Sequence, residues 1–325
     1  MNLNFDDNIF VTGHNGMVGS AVVSALKKEG YPNIVIEEKK NLDLLDQSKV
    51  NLFFKSKSID AVFICSAKVG GIHSNSEYPY DFIYQNLTIQ NNIINSAHLN
   101  DVNKLLFLGS SCIYPKKAKQ PIKESELLKG PLEPTNQWYA LAKIAGIKTC
   151  EALNIQNNRD YRSLMPTNLY GPNDNFHDMN SHVIPALIRR FYESKINKED
   201  SIIIWGSGRP LREFLHVDDL AKASIHVMKM NKQEYSSYIK PDLSHINIGT
   251  GQDVSIKKLS EILKSISGFE GKIIFDEAKP DGTMRKVLDI SKIKSMGWKP
   301  DIDLKKGLKS TYQWYEKNKN SAKKA

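Results

Sequence analysis

Cysteine is scarce in this chain and poorly spaced for a structural role. There are three, Cys65, Cys112 and Cys150. They lie far apart and form no CxxC pair, which excludes a disulfide framework and a cysteine-based zinc site; no metal is expected. Nothing approaches the roughly 18 consecutive apolar residues of a membrane span. The opening stretch, MNLNFDDNIF, carries two acids and no basic run ahead of an apolar one. A signal peptide is therefore not expected, and the cytoplasm is the default compartment. Internal repeats, low-complexity tracts and obvious flexible linkers are missing too, so any lobes are expected to interleave along the chain.

What is present is an ordinary globular balance, 40% hydrophobic and 25% charged over 325 residues. The length suits one large α/β domain or two smaller ones. The formal charge is +9. Part of it sits in the tail KNKNSAKKA, which reads as a frayed, solvated end. The remainder suits an anionic ligand such as a diphosphate. No compact basic stripe interleaves with aromatics, so nucleic acid is not the expected partner.

The first half alternates strand and helix signals. NIFVT (8–12), NIVIEE (33–38), IDAVFICSA (59–67), KLLFLGS (104–110) and DYRSLMPTNLYG (160–171) read as strands. Between them, 16–30, 78–100 and 135–156 carry helical apolar spacing. Strands joined by helix-length crossovers predict an α/β fold, a Rossmann-type doubly wound parallel sheet. After Gly171 the pattern becomes irregular, with short strands such as SIIIWG and KIIFD. The expected layout is a dinucleotide-binding domain over 1–170, with parts of 209–250 returning to it, and a smaller α/β substrate lobe over most of 171–325.

Three motifs carry chemistry. In TGHNGMVG, Gly13, Gly16 and Gly19 form GxxGxxG between a strand and a helix. Glycines there allow a tight turn and close approach to a pyrophosphate at the helix N-terminus; their competing role is packing alone. Near the end of strand two, Glu37-Glu38-Lys39-Lys40 mixes an acid that suits the NAD ribose with bases that suit the NADP phosphate. In YALAK, Tyr139 and Lys143 stand one helical turn apart. An ammonium there is expected to lower the phenol pKa and make Tyr139 a usable proton donor. Ser110 and Ser111 end the fourth strand, where a hydroxyl can orient the same carbonyl, and Cys112 follows directly. Position alone favours Cys112 as a small buried hydrophobe, the reading kept for Cys65 and Cys150.

The segments GHNGMVGSA, AKVGGI, YPYDFIYQN, NKLLFLGSSCIYP, YALAKIAGIK, DYRSLMPTNLYGPNDNFH, NSHVIPALIRR, WGSGRPLREFLHVDD, SHINIGTG and KPDGTMRK together resemble the GDP-L-fucose synthases. These are extended short-chain dehydrogenases/reductases that act as GDP-4-keto-6-deoxymannose 3,5-epimerase/4-reductases. The likeness runs from about Ile9 to Tyr315. It implies hydride transfer served by Ser110, Ser111, Tyr139 and Lys143, with Cys112 and His182 as the acid/base pair at the carbons beside the ketone. It implies a cofactor site at Gly13, Asn15, Gly16, Met17, Val18, Gly19, Lys39, Leu108, Gly109, Lys143, Pro166, Thr167, Asn168, Leu169 and His182. The GDP-linked keto-sugar falls to Arg190, Trp205, Arg212 and Asp281. NADP(H) is the first expectation and NAD(H) the second, because the family's glycine-loop arginine is replaced by Asn15 and Glu37 repels a phosphate. Gln137-Trp138 also departs from the smaller residues usual before the tyrosine, which bears on the sugar accepted. A homodimer through 78–100 and 135–156 is expected. Two other readings stand beside this one: a C4 reductase without epimerase activity acting on a GDP-4-keto-heptose, and a non-catalytic dinucleotide- or RNA-binding relative. Nucleotide-sugar 4-epimerases and dehydratases, which hold NAD tightly, are a weaker rival.

Overall fold

The computed structural model describes residues 2–178, 180–279 and 281–322. The expected KPDGTMRK motif loses Pro280 to that boundary, and 323–325 of the tail lie outside the described residues. The first half runs β1 (Ile9–Thr12), α1 (Met17–Lys28), β2 (Ile34–Val35), α2 (Gln47–Ser56), β3 (Ala61–Ile64), α3 (Ile72–Glu77), α4 (Pro79–Leu99), β4 (Lys104–Leu108), α5 (Gln137–Asn157) and β5 (Asp160–Pro166). The second half continues with β6 (Asn168–Tyr170), α6 (Val183–Ile196), β7 (Ser201–Trp205), β8 (Leu211–His216), α7 (Val217–Lys229), α8 (Lys232–Ser237), β9 (His245–Ile248), β10 (Asp253–Ser255), α9 (Ile256–Ser267), β11 (Lys272–Asp276), β12 (Arg285–Lys286), α10 (Ser291–Ser295) and α11 (Leu304–Asn318).

Six strands form one parallel sheet in the order β2-β1-β3-β4-β5-β9. Strands β1, β3, β4 and β9 are buried at every position. That is why β1, β3 and β4 read as nearly continuous apolar runs; β9, His-Ile-Asn-Ile, is buried too but keeps two polar side chains. Helices α1 and α7 pack as one pair, while α4 packs on both α2 and α5. The strand order reverses between β1 and β3, and in such sheets ligands bind at that reversal, beyond the strands' carboxyl ends.

Strand β2 is shorter than the 33–38 expected. Only Ile34 and Val35 pair with β1; Ile36 is exposed and the charged run after it forms a solvated turn. The tail differs in the other direction. Lys317 and Asn318 belong to α11, and Ser321 and Ala322 donate back to the Asn318 carbonyl at 2.9 and 2.7 Å. Ala322 is buried.

Thr167 marks where the chain leaves the main sheet. Its N–H donates to Ile248 in β9 at 3.0 Å, and the next residues, β6, pair instead with β8. Strand β8 also carries β10 and β12, and β7 and β11 pair separately in parallel. The apolar residues accordingly fall into two clusters, a larger one around the parallel sheet and a smaller one around Phe176, Phe191, Leu263 and Tyr315. One buried side chain ties these pieces. Glu213 on β8 accepts from the Thr250, Gly251 and Leu288 N–H groups at 2.6, 2.7 and 2.8 Å. Burial raises its pKa and those bonds oppose the rise, so a carboxylate with no exposed surface is kept satisfied. Among the described residues, no helix is long and apolar enough to cross a membrane.

Candidate active site

The glycine turn forms at the carboxyl end of β1. Gly13 has φ +67°, a conformation L side chains rarely adopt. A Cβ on Gly19 would stand 2.2 Å from the Gly13 carbonyl oxygen. Helix α1 can therefore approach the strand this closely only with glycine there. Gly16 caps α1 with no side-chain hydrogen bond, and the first turn contains no acid. The leading N–H groups and the positive end of the helix dipole are thus turned to whatever lies beyond the sheet edge. Met17 and Val18 begin the helix half-buried and Asn15 is exposed. Thr12 braces the turn, accepting from the Cys65 and Ser66 N–H groups at 3.1 Å each.

Lys39 lies exposed on the turn after β2. Next to it Lys40 pairs with Glu38 at 2.9 Å, and Glu37 accepts from Asn41 at 3.2 Å. Leu108 ends β4 and Gly109 follows it, packed so closely that a Cβ on Gly109 would meet Met165 Sδ at 2.4 Å. Pro166 ends β5. Thr167 is buried and Asn168 is anchored, donating to the Glu213 carbonyl at 2.8 Å; Leu169 follows half-buried. The expected cofactor residues of β1, β4 and β5 therefore share one edge of one sheet.

Ser110 opens a 3-10 turn, Ser111–Ile113, accepting from the Cys112 N–H at 3.3 Å. Ser111 is buried; Cys112 is half-buried. Tyr139 lies in the first turn of α5, half-buried, its hydroxyl in hydrogen-bond reach of Ser110 and beside Cys112. Its ring meets Phe82 edge-on at 6.4 Å. Helix α5 sits hard against β4 because Gly146 faces Phe107, whose ring would be 2.4 Å from a Cβ there. Lys143 is buried and donates to the Leu108 carbonyl at 2.9 Å, its ammonium 5.7 Å from the Tyr139 ring centre.

The electrostatics differ from the expectation. Burial pushes the Tyr139 phenol up from its ordinary 10.0, Cys112 adds to the rise, and the Ser110 hydrogen bond opposes it. Lys143 is itself depressed to about 8 by burial. Desolvation, and not the charge spacing along α5, decides the direction for Tyr139. Burial also raises the Cys65 and Cys150 thiols to about 12, which suits inert core cysteines.

His182 caps α6. Its residue is exposed, yet the surroundings desolvate the ring enough to lower its pKa. The preceding Asn180 carbonyl accepts from the Gly71 N–H at 3.1 Å. Gly71 leads into α3, and α3 packs on the Pro134–Asn136 turn whose last residue touches Cys112. These contacts link the loop before His182 to the turn that touches Cys112. Further out, Asp281 accepts from the Ser207 N–H and hydroxyl at 2.8 and 2.6 Å. These bonds, then Arg209 and Arg212, hold its pKa down. Trp205 is 62% exposed at the end of β7 with Lys279 5.4 Å from its ring centre, and Arg190 bonds to the Ile203 carbonyl on the same strand. Arg190, Trp205, Arg212 and Asp281 therefore gather around the ends of β7 and β8, an exposed aromatic face flanked by guanidinium groups.

With a dinucleotide turn, a Ser-Tyr-Lys set and a cysteine at one sheet edge, comparison with known proteins becomes specific. The pattern of the NAD dependent epimerase/dehydratase family matches residues 9–249. The GDP-L-fucose synthase of Escherichia coli K12 is 56% identical over 312 residues, covering 96% of this chain and 97% of the relative. This chain belongs to the GDP-L-fucose synthase family. Among solved structures, a GDP-6-OMe-4-keto-L-xylo-heptose reductase from C. jejuni superposes with a TM-score of 0.92 at 38% identity, covering 98% of this chain and 100% of that one. A GDP-L-fucose synthetase from Naegleria fowleri bound to NADP has a TM-score of 0.88 at 28% identity, covering 99% and 96%. The GDP-L-fucose synthase resemblance seen in the motifs therefore extends to the whole fold.

Three residues at this family site escaped the sequence reading. Asn136 and Lys286 each donate toward Cys112 Sγ, and Glu213 fixes the strand that bears Arg212. Asn136 is adjacent to Gln137-Trp138 and Lys286 ends KPDGTMRK, but neither spacing pointed to the thiol.

Proposed function

We propose that this protein is an NADPH-dependent epimerase/reductase that converts GDP-4-keto-6-deoxy-D-mannose to GDP-L-fucose. The observation that carries the reading is the convergence of Ser110, Cys112 and the Tyr139 hydroxyl at the carboxyl edge of the parallel sheet, beside the glycine turn. The turn fits a dinucleotide: Gly19 lets α1 close onto the Gly13 turn, and α1 presents uncapped N–H groups to a pyrophosphate. Leu108, Gly109, Pro166–Leu169 and Lys143 line the remaining length, and Lys39 meets the far phosphate. When bound, the reduced nicotinamide supplies the hydride.

Tyr139 and Ser110 hold the ketone oxygen by hydrogen bonds, and Tyr139 passes it a proton as the alcohol forms. A phenol whose pKa is raised is held protonated, the form a proton donor needs. The same two donors stabilise the oxygen of an enolate when a proton leaves the neighbouring carbon. Cys112 and His182 serve as the base and acid that move protons at those carbons. Arg190 and Arg212 grip the diphosphate, and Trp205 covers the nucleoside. The larger apolar cluster is the dinucleotide-binding domain, to which α7 and β9 return. Most of 171–325 is the substrate lobe.

The protein acts in the cytoplasm as a homodimer. Tyr80, Tyr84 and Leu141 are exposed on α4 and α5, and an apolar face of this kind is what a two-fold partner covers. The test is incubation with GDP-4-keto-6-deoxy-D-mannose and either NADPH or NADH, with the product assigned by NMR. GDP-L-fucose formed faster with NADPH bears the reading out. Turnover only on a GDP-4-keto-heptose, with no inversion, overturns it in favour of the C4 reductase, the reading favoured by the likeness to the heptose reductase.

A further inference from the structure

We propose that Lys286 and Asn136 are positioning residues for the proton chemistry of Cys112, holding its sulfur from two sides. The proposal rests on the epimerase/reductase reading above. Asn136 Nδ2 lies 3.3 Å from Sγ and Lys286 Nζ 3.8 Å. An amide nitrogen and an ammonium can only donate, so the sulfur accepts from both.

The two donors come from unrelated parts of the chain. Asn136 closes the turn that precedes α5, three positions before Tyr139. Lys286 is 174 residues from Cys112, on β12, opposite Arg212 of β8. The residues flanking Lys286 are committed elsewhere. Arg285 pairs with Asp253 at 2.5 Å, the Val287 N–H donates to Gln120 at 2.9 Å and the Leu288 N–H to Glu213 at 2.8 Å. These anchors fix the backbone on both sides of Lys286. Among the described residues its ammonium has no carboxylate within ion-pair distance; it donates to the thiol.

Asn136 Oδ1 is buried without a hydrogen-bond partner, as are the amide oxygens of Asn75 and Gln90. What sets Asn136 apart is where its N–H goes: Asn75 and Gln90 donate to backbone carbonyls, Asn136 to the sulfur.

The step served is a proton transfer. Beside the ketone a C–H bond breaks, its electron pair passes into the enolate, and the proton goes to the group facing it; an S–H bond forms when that group is the Cys112 sulfur. Return of a proton from the opposite face re-forms the C–H bond with inverted configuration. The sulfur changes by one unit of charge in taking or releasing the proton. Lys286 places a fixed cation against that change, and Asn136 sets the direction in which the sulfur's lone pairs point. Neither residue needs to touch the sugar; both act through Cys112.

The first test needs no substrate. Carbamidomethylation of Cys112 by iodoacetamide is timed by peptide mass spectrometry, with Cys65 and Cys150 as internal references. Lys286→Met is expected to slow Cys112 by about tenfold. Lys286→Arg restores most of the rate, and Lys286→Gln, which keeps a donor without the charge, does not. Equal rates in all four proteins overturn the proposal. The second test uses the enzyme in D₂O. In Lys286→Gln, deuterium entry at C3 and C5 of GDP-4-keto-6-deoxymannose is expected to fall at least fivefold more than oxidation of GDP-L-fucose by NADP; an equal loss in both reactions is the result of a merely structural role and also overturns it. A wild-type protein that turns over neither sugar refutes the functional reading, while the alkylation rates still decide the role of Lys286.

Discussion

The Lys143 ammonium donates to the Leu108 carbonyl at 2.9 Å, so the lysine one turn from Tyr139 is fastened to the strand end and not to the phenol. Its contribution is to lock α5 onto β4 and hold a charge beneath the cofactor groove. The phenol answers to Ser110 and Cys112. Tyr139→Phe removes the hydroxyl and leaves that frame in place. We expect kcat to fall by about 10²- to 10⁴-fold, measured as NADPH oxidation with GDP-4-keto-6-deoxymannose. A loss under tenfold would remove Tyr139 from proton donation.

Cys112→Ser separates the two reactions. Serine keeps a hydrogen-bonding atom near Asn136 and Lys286, but its hydroxyl is a far weaker acid than a thiol and supplies no anion to take the proton. Deuterium entry at C3 and C5 in D₂O is expected to drop at least about 100-fold, while oxidation of GDP-L-fucose by NADP proceeds within a few-fold of wild type. Full exchange in the variant eliminates the thiol as the proton carrier.

Gly19→Ala tests the dinucleotide turn. The new Cβ would lie 2.2 Å from the Gly13 oxygen and 2.5 Å from its carbon, contacts no side-chain rotation relieves. Pushing α1 off the strand is expected to destabilise the protein by roughly 1–3 kcal/mol and to weaken NADPH binding. Calorimetry and NADPH fluorescence titration read the two effects; wild-type values in both would show that the helix has slack.

Asp174 gives a pH test away from the chemistry. Burial raises its carboxyl from 3.8 to about 7, opposed only by the Asn175 N–H bond, and its Oδ2 is buried without a partner. Between those values the folded protein holds a proton that the unfolded chain releases. Its contribution is therefore whole below about pH 3.8 and is lost as pH rises through about 7. Asp174→Asn has no such loss. We expect it to be more stable than wild type at pH 8, by on the order of 2–4 kcal/mol, with the gap closing near pH 4. Parallel melting curves at both pH values disprove the assignment.

Much of this was legible from residue order. Strands β1, β3 and β4 read clearly because both faces are buried and their sequences are almost wholly apolar; β5 carries Asp160, Arg162 and Ser163 and is buried from Tyr161 onward. Glycine spacing pointed to the turn, and the structure brings Ser110 and Lys143 close to Tyr139. The failures have physical causes. Strand β2 was overextended because Ile36 fits the strand pattern, although it points to solvent. The direction of the Tyr139 shift was misjudged because charge spacing is visible in sequence and desolvation is not. Lys286 and Asn136 were invisible because their common partner is reached only through tertiary structure, one of them across 174 residues.

Glu213 has a consequence for synthesis of the chain on the ribosome. Its carboxylate is sealed from water and needs the amides of Thr250, Gly251 and Leu288, the last of which emerges 75 residues after it. Until then the nascent protein carries an interior charge with an incomplete set of donors. The closing quarter is thus no appendage: a product halted by a stop codon ahead of Leu288 keeps every proposed reductase residue from Gly13 to Lys143, yet lacks the amide that lets β8 settle.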